Sequence, residues 1–172
     1  MTPENTPRSH WIKPVVAGAV LAALALGGYF MLRPQLAPPV TFVSLSGQKI
    51  TSESLRGKVV MVNFWATSCV SCVREMPQMV ETYNKFKGQG LEFVAVAMKY
   101  DPPNYVLNFT ETRKLPFIVA LDSTGEVAKA YNDVQLTPTT YVIDKNGVIL
   151  KRYVGEPDFK ALHVLLQDAL AG

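Results

Sequence analysis

Seven residues, Val59-Val60-Met61-Val62-Asn63-Phe64-Trp65, form an apolar run broken only by Asn63, and four positions beyond it begins Cys69-Val70-Ser71-Cys72. The length and β-branched content of the run predict a buried strand. The residues after Cys72, from Val73 to Tyr83, carry apolar positions three and four apart and predict a helix. The chain's only two cysteines therefore fall where a strand hands over to a helix, with Cys69 at or near the helix N-terminus. There the unpaired backbone N–H groups and the helix dipole favour a thiolate over a thiol. A strand–CxxC–helix junction of this kind reads as a dithiol/disulfide redox site.

Other uses of the pair fare worse. A structural zinc site needs four ligands, and the chain offers only His10 and His163 besides the cysteines, one on each side of the junction and neither paired. A purely structural disulfide between positions i and i+3 closes a very small loop, and the stabilisation a crosslink gives grows with loop length. Two inert buried cysteines remain a reading by chance alone.

The N-terminus sets the compartment. Val15 to Leu32 hold no charge over 18 positions. As a helix at about 1.5 Å per residue they would span roughly 27 Å, close to a hydrocarbon core. Arg8 and Lys13 precede the segment and Arg33 follows it, a slight basic bias that favours a cytoplasmic N-terminus. A cleaved signal peptide is the competing reading, but the run ends in bulky Tyr29-Phe30-Met31-Leu32-Arg33-Pro34 rather than in small residues. The expected organisation is a cytoplasmic tail over 1–14, a single-pass signal-anchor over 15–32, a stiff Pro-rich linker over 33–39 and an exported domain over 40–172. The domain would then lie on the periplasmic, extracytoplasmic side of a bacterial cytoplasmic membrane. Exported chains commonly use cysteines as staples. This one has none to spare, so the single pair is its whole redox inventory.

The exported part is long enough for one domain with a full hydrophobic core. The formal charge of +3 falls to +1 once the flanks of the anchor are set aside. No basic run or aromatic-interleaved patch is present, so nucleic acid is excluded as a partner class. Val40–Ile50 alternates around Ser46-Gly47 and predicts a hairpin. Strands are expected at 59–65, 91–98, 117–121, 139–144 and 148–153. Helices are expected after Cys72, from Asp101-Pro102-Pro103 to about Arg113, over 124–131, and from Pro157 to about Ala169. Lys145-Asn146-Gly147 is a strong hairpin-turn signal. The resulting order, β-α-β-α-β-α-β-β-α after the hairpin, predicts an α/β domain with a mixed central sheet and helices on both faces.

Taken together, these motifs resemble those of the membrane-anchored TlpA/ResA-like thiol:disulfide oxidoreductases, within the AhpC/TSA–Redoxin superfamily. The resemblance covers about residues 40–170 and rests on Asn63-Phe64-Trp65-Ala66-Thr67, the Cys69–Cys72 pair, Glu75-Met76-Pro77, Leu136-Thr137-Pro138-Thr139 and Ile143-Asp144-Lys145-Asn146-Gly147. It implies a thioredoxin-like fold with an added N-terminal β-hairpin and an N-terminal transmembrane helix. It also assigns roles. Cys69 would attack a substrate disulfide and Cys72 would resolve the mixed disulfide. Glu75, at i+3 from Cys72, would tune the thiols or shuttle protons, against the plainer reading of a solvated glutamate near a helix start. Asn63 stands where thioredoxin proper has a buried aspartate, and an amide cannot take a proton, which favours Glu75 for that task. Thr137–Pro138 would be a cis peptide that presents Thr137 to an extended client beside Cys69. Trp65 would be half core and half active-site wall, and Pro77 a helix kink.

One departure stands out: many relatives have tryptophan directly before the first cysteine, where this chain has Ser68. Clients implied by the resemblance are disulfide-containing exported proteins, such as cytochrome c or copper-site maturation factors. The electron donor would be a membrane carrier of the DsbD/CcdA type, and no metal or other cofactor is expected. Copper delivery on the same fold would want a histidine facing the thiols, and a peroxidase would want a different arrangement around one cysteine. A dithiol oxidase or isomerase working in the opposite direction is the remaining alternative.

Overall fold

The computed structural model describes residues 34–172 continuously and, upstream, only the helical positions 16, 21–23 and 26–28. The tail over 1–14 lies outside the described residues, as does most of the expected anchor over 15–32. Among the described residues, no helix is long and apolar enough to cross a membrane. Gln35–Gly172 forms one compact unit, distinct from Met1–Pro34.

The predicted hairpin is β1 (Thr41–Val43) paired antiparallel with β2 (Lys49–Thr51). A short 3-10 turn, Glu53–Leu55, leads into β3 (Val59–Trp65), and α1 (Val70–Phe86) carries the second cysteine. β4 (Leu91–Ala97), α2 (Pro103–Arg113), β5 (Ile118–Leu121) and α3 (Glu126–Ala130) follow, then β6 (Thr139–Ile143), β7 (Ile149–Val154) and α4 (Phe159–Ala171). The five longer-range strands form one sheet in the order β5-β4-β3-β6-β7. β3 pairs parallel with β4 and antiparallel with β6, so the sheet is mixed, as expected.

β3 is central, and all seven of its residues are buried. Its alternation sorts the core. Val59, Met61 and Trp65 face a cluster built with Met76, Met79, Phe86, Val106, Leu162 and Leu166 from α1, α2 and α4. Val60, Val62 and Phe64 face the other side, against Phe42, Ile50, Leu55, Ala128 and Tyr131 from the hairpin, the 3-10 turn and the α3 segment. Period-two side chains on a strand covered from both sides require this near-continuous apolar run. Asn63 belongs by parity to the α1 face, the one polar side chain in the run.

The closing helix begins later than its proline signal predicts. Pro157 lies just outside it. Asp158 is the N-cap, its carboxylate accepting hydrogen bonds from the N–H groups of Lys160 and Ala161 at 2.9 and 3.2 Å. The cap decides the start because it satisfies donors that the proline leaves untouched. The Lys145-Asn146-Gly147 turn is as expected, with Gly147 at φ 78° and the Asp144 carboxylate accepting from the N–H groups of Asn146 and Val148.

Candidate active site

β3 ends at Trp65, and a tight turn closed by the Cys69 N–H on the Ala66 carbonyl, at 3.1 Å, delivers Cys69 to the start of α1. Cys69 is the N-cap itself. Its Sγ accepts from the Cys72 N–H at 3.2 Å, so the first helical turn points a donor at the sulfur. That contact and the helix dipole stabilise negative charge on Cys69. The two cysteines are joined in a disulfide with Cα atoms 5.2 Å apart. Cys72 is completely buried, while Cys69 is half-buried beside exposed Ser68 and Val70. Only Cys69 offers its sulfur to an incoming molecule.

Glu75 is not the solvated residue that its helix position allows. It is 1% exposed, on the face of α1 that lies over β3. Asn63 meets it there: its Nδ2 donates to Glu75 Oε1 at 3.1 Å and to Thr140 Oγ1, from neighbouring β6, at 2.9 Å. Glu75 Oε2 has no hydrogen-bond partner in the protein. Burial pushes the Glu75 carboxyl from 4.5 up to about 8. Glu156 adds to the rise, and the hydrogen bond from Asn63 and the charge of Arg74 pull against it. A carboxyl with a pKa near neutrality, at i+3 from a buried thiol, can both take and return a proton under working conditions.

The register β3–β6 pairs Phe64 with Thr139, so Pro138 falls beside the strand end that feeds the Cys69 turn. The Thr137–Pro138 peptide is cis, as expected. Pro138 is buried, and its carbonyl accepts from the Gly155 N–H at 2.8 Å. Thr137 lies outside every strand, and its main-chain N–H and C=O have no backbone partner among the described residues. Trp65 departs from expectation. It is fully buried, its ring tilted against Phe109 at 5.2 Å between centroids, so it forms core and not a surface wall. Phe109 comes from α2, a packing partner invisible in the local sequence. Pro77 sits inside α1 as read.

Two contacts were not foreseen. The Asp101 carboxylate, 5% exposed, accepts from both the N–H and the hydroxyl of Thr67 at 2.6 and 2.5 Å. It thereby grips the turn that presents Cys69. The adjacent Tyr100 places its hydroxyl 3.4 Å from Thr137 Oγ1. The residues in contact are 34 and 37 positions apart, beyond any local pattern. His163, the one histidine among the described residues, is engaged with Thr82 at 2.9 Å on the α1–α4 side.

The chain is similar to known proteins. The Redoxin family profile matches residues 34–165. The thiol-disulfide oxidoreductase ResA of Bacillus cereus is 35% identical over 158 residues, covering 89% of this chain and 90% of that protein. The ResA of Bacillus subtilis is 36% identical over 127 residues, covering 74% of this chain and 70% of its own. Among solved structures, a thiol:disulfide interchange protein of the thioredoxin family from Chlorobium tepidum superposes with a TM-score of 0.73 at 31% identity, covering 80% of this chain and 97% of that one. A family match across residues 34–165, on a sheet that presents a CxxC pair at a helix N-terminus, places the chain in the Redoxin family as a thioredoxin-like thiol-disulfide oxidoreductase.

Proposed function

We propose that the protein is a membrane-tethered reductase of disulfides in exported proteins. The observation that carries the two-cysteine mechanism is the asymmetry of the pair: an accessible Cys69 at the helix N-terminus, backed by a buried Cys72 with a buried carboxyl on its helix face. The reducing direction is taken from the likeness to the ResA relatives. In the reduced protein the Cys69 thiolate attacks one sulfur of a client disulfide. The Cys69–client bond forms, and the other client sulfur leaves as a thiolate. Glu75, as carboxylate, takes the proton of the Cys72 thiol. The Cys72 sulfur then attacks Cys69, releasing the second client thiol and closing Cys69–Cys72. The client gains two electrons and the protein loses two. A dithiol carrier in the membrane, of the DsbD/CcdA type, then reduces Cys69–Cys72 by thiol–disulfide exchange and is itself left as a disulfide.

The anchor and the extracytoplasmic location are part of the same reading. The segment 15–32 is uncharged, and a match covering 89% of the chain leaves too few residues outside it to exclude that segment from the similarity with the Bacillus cereus relative. Cytochrome c and copper-site maturation clients are the substrate classes this reading favours, since both need reduced cysteines outside the cytosol. Thr137, with its free main-chain groups beside the Cys69 turn, would pair with an extended client segment as an added strand.

Two measurements test it. Cys72→Ser should trap client–Cys69 mixed disulfides while Cys69→Ser traps none; normal turnover by Cys72→Ser would rule out the two-cysteine mechanism. The equilibrium potential of the pair, taken against a dithiothreitol series, should lie near or below about −270 mV. A potential near about −120 mV would reverse the direction and make the protein a dithiol oxidase.

A further inference from the structure

We propose that Tyr100 is a specificity residue that contacts the client segment received at Thr137, beside the turn that carries Cys69. The inference rests on the reductase reading above and adds the residue that selects polypeptide clients. Ser68 is exposed and small, so the segment directly before Cys69 offers no apolar surface. Tyr100 is 55% exposed, on the loop between β4 and α2.

Surface aromatics on loops are usually mobile, but this one is held from both sides. Its hydroxyl reaches the Thr137 side chain at 3.4 Å, next to the cis peptide. Its neighbour Asp101 is buried and holds the N–H and hydroxyl of Thr67, inside the Ala66–Cys69 turn. The Asp101 N–H closes the loop itself on the Met98 carbonyl at 2.9 Å. A carboxylate accepting two such bonds is a strong anchor, because charge-assisted hydrogen bonds are short and about twice as strong as neutral ones. Tyr100 therefore stands on a loop tied to the turn that carries the nucleophile, its hydroxyl directed at the residue whose main chain is free to receive an extended segment.

A client segment paired with Thr137 and carrying its disulfide to Cys69 passes along that ring. Val70 and Leu136, the sequence neighbours of Cys69 and Thr137, are exposed apolar residues. A ring ordered before binding contributes contact area at little entropic cost, the same reason tyrosines recur in binding loops. The client chemistry implied is a polypeptide with an apolar side chain next to the attacked cysteine. A small symmetric disulfide would gain nothing from the ring.

The test is a ratio measured on the purified full chain, comparing kcat/KM for a disulfide-closed peptide with leucine flanking its cysteines against kcat/KM for 2-hydroxyethyl disulfide. Tyr100→Ala should lower that ratio roughly 5- to 10-fold through the peptide KM, in line with one aromatic contact. Tyr100→Phe, which keeps the ring and drops the hydroxyl that orients it, should recover part of it, and Tyr100→Ser should behave as the alanine variant. An unchanged ratio in Tyr100→Ala overturns the inference, as does an equal loss on both substrates, which would signal a structural role. If the unmutated protein reduces neither disulfide, the reductase reading itself fails and the inference falls with it.

Discussion

Burial of a carboxyl group with 1% of its surface exposed favours its neutral form, and Glu75 has only one neutral amide and the charge of Arg74 to oppose that. Its folded-state pKa of about 8 lies above the ordinary 4.5, so the folded protein binds a proton that the unfolded chain has already lost over that interval. The stability this gives is fully present below about pH 4.5 and is lost as pH rises through about 8. Urea titrations of the oxidised protein should therefore show stability falling between these values, with a slope that approaches about 1.4 kcal/mol per pH unit for a single proton. Glu75→Gln should flatten the profile and cross above the unmutated protein on the alkaline side. A parallel profile in both proteins would mean that Glu75 titrates normally. The same variant should slow the release of client from the Cys69 mixed disulfide by about 100-fold, the scale of a lost general base, as followed in a single turnover. The glutamate's position relative to Cys72 was legible from helix spacing. Its burial was not, because that depends on Asn63 and Thr140 arriving from two strands, the farther one 77 positions from Asn63.

At the scale of elements, the structure is legible wherever the residues that define an element are neighbours in sequence. The strand run, the amphipathic helix after it and the Asn146-Gly147 turn meet that condition, and each lies where its pattern predicts. The start of α4 differs from expectation for a local reason as well: Pro157 signals a helix start, but the aspartate that follows it is the cap. Asp158 supplies a cap to two N–H groups, and α4 buries Leu162 and Leu166 against the face of β3 that carries Asn63 and Trp65. Asp158→Ala should cost about 1 kcal/mol in a urea titration, the ordinary value of an N-cap. Leu162→Ala, which opens a cavity in a fully buried site, should cost about 2–5 kcal/mol. If the cap variant proved as damaging as the cavity variant, Asp158 would be holding more than the helix end. What local pattern could not supply is the link from Asp101 to Thr67, which ties the loop after β4 to the turn after β3. Parallel pairing of β3 and β4 brings those two strand ends together, and only the sheet register reveals it.

At the scale of the molecule, one sheet separates two tasks. The face under α1, α2 and α4 supports the dithiol, with Asn63, Glu75 and Trp65 packed behind it. The opposite face, under the hairpin and the α3 segment, is apolar core without redox groups. The catalytic end of the sheet is thus built on a two-sided support. In the function proposed above, the N-terminal segment serves location. The full chain expressed in a bacterial host should remain in the membrane pellet after alkaline carbonate washing. Protease added to intact spheroplasts should digest the domain over 40–172, because a slight basic excess before residue 15 keeps the N-terminus inside. Replacing Ala23 and Leu24 by two aspartates should release the protein from the pellet, since each charge at the centre of a spanning helix costs about 2.5–3.5 kcal/mol on insertion scales. Recovery of the unmutated chain in the carbonate supernatant, shortened at its N-terminus, would instead identify a cleaved export signal. The redox chemistry would stand, but the domain would diffuse to its electron donor and would not be held beside it.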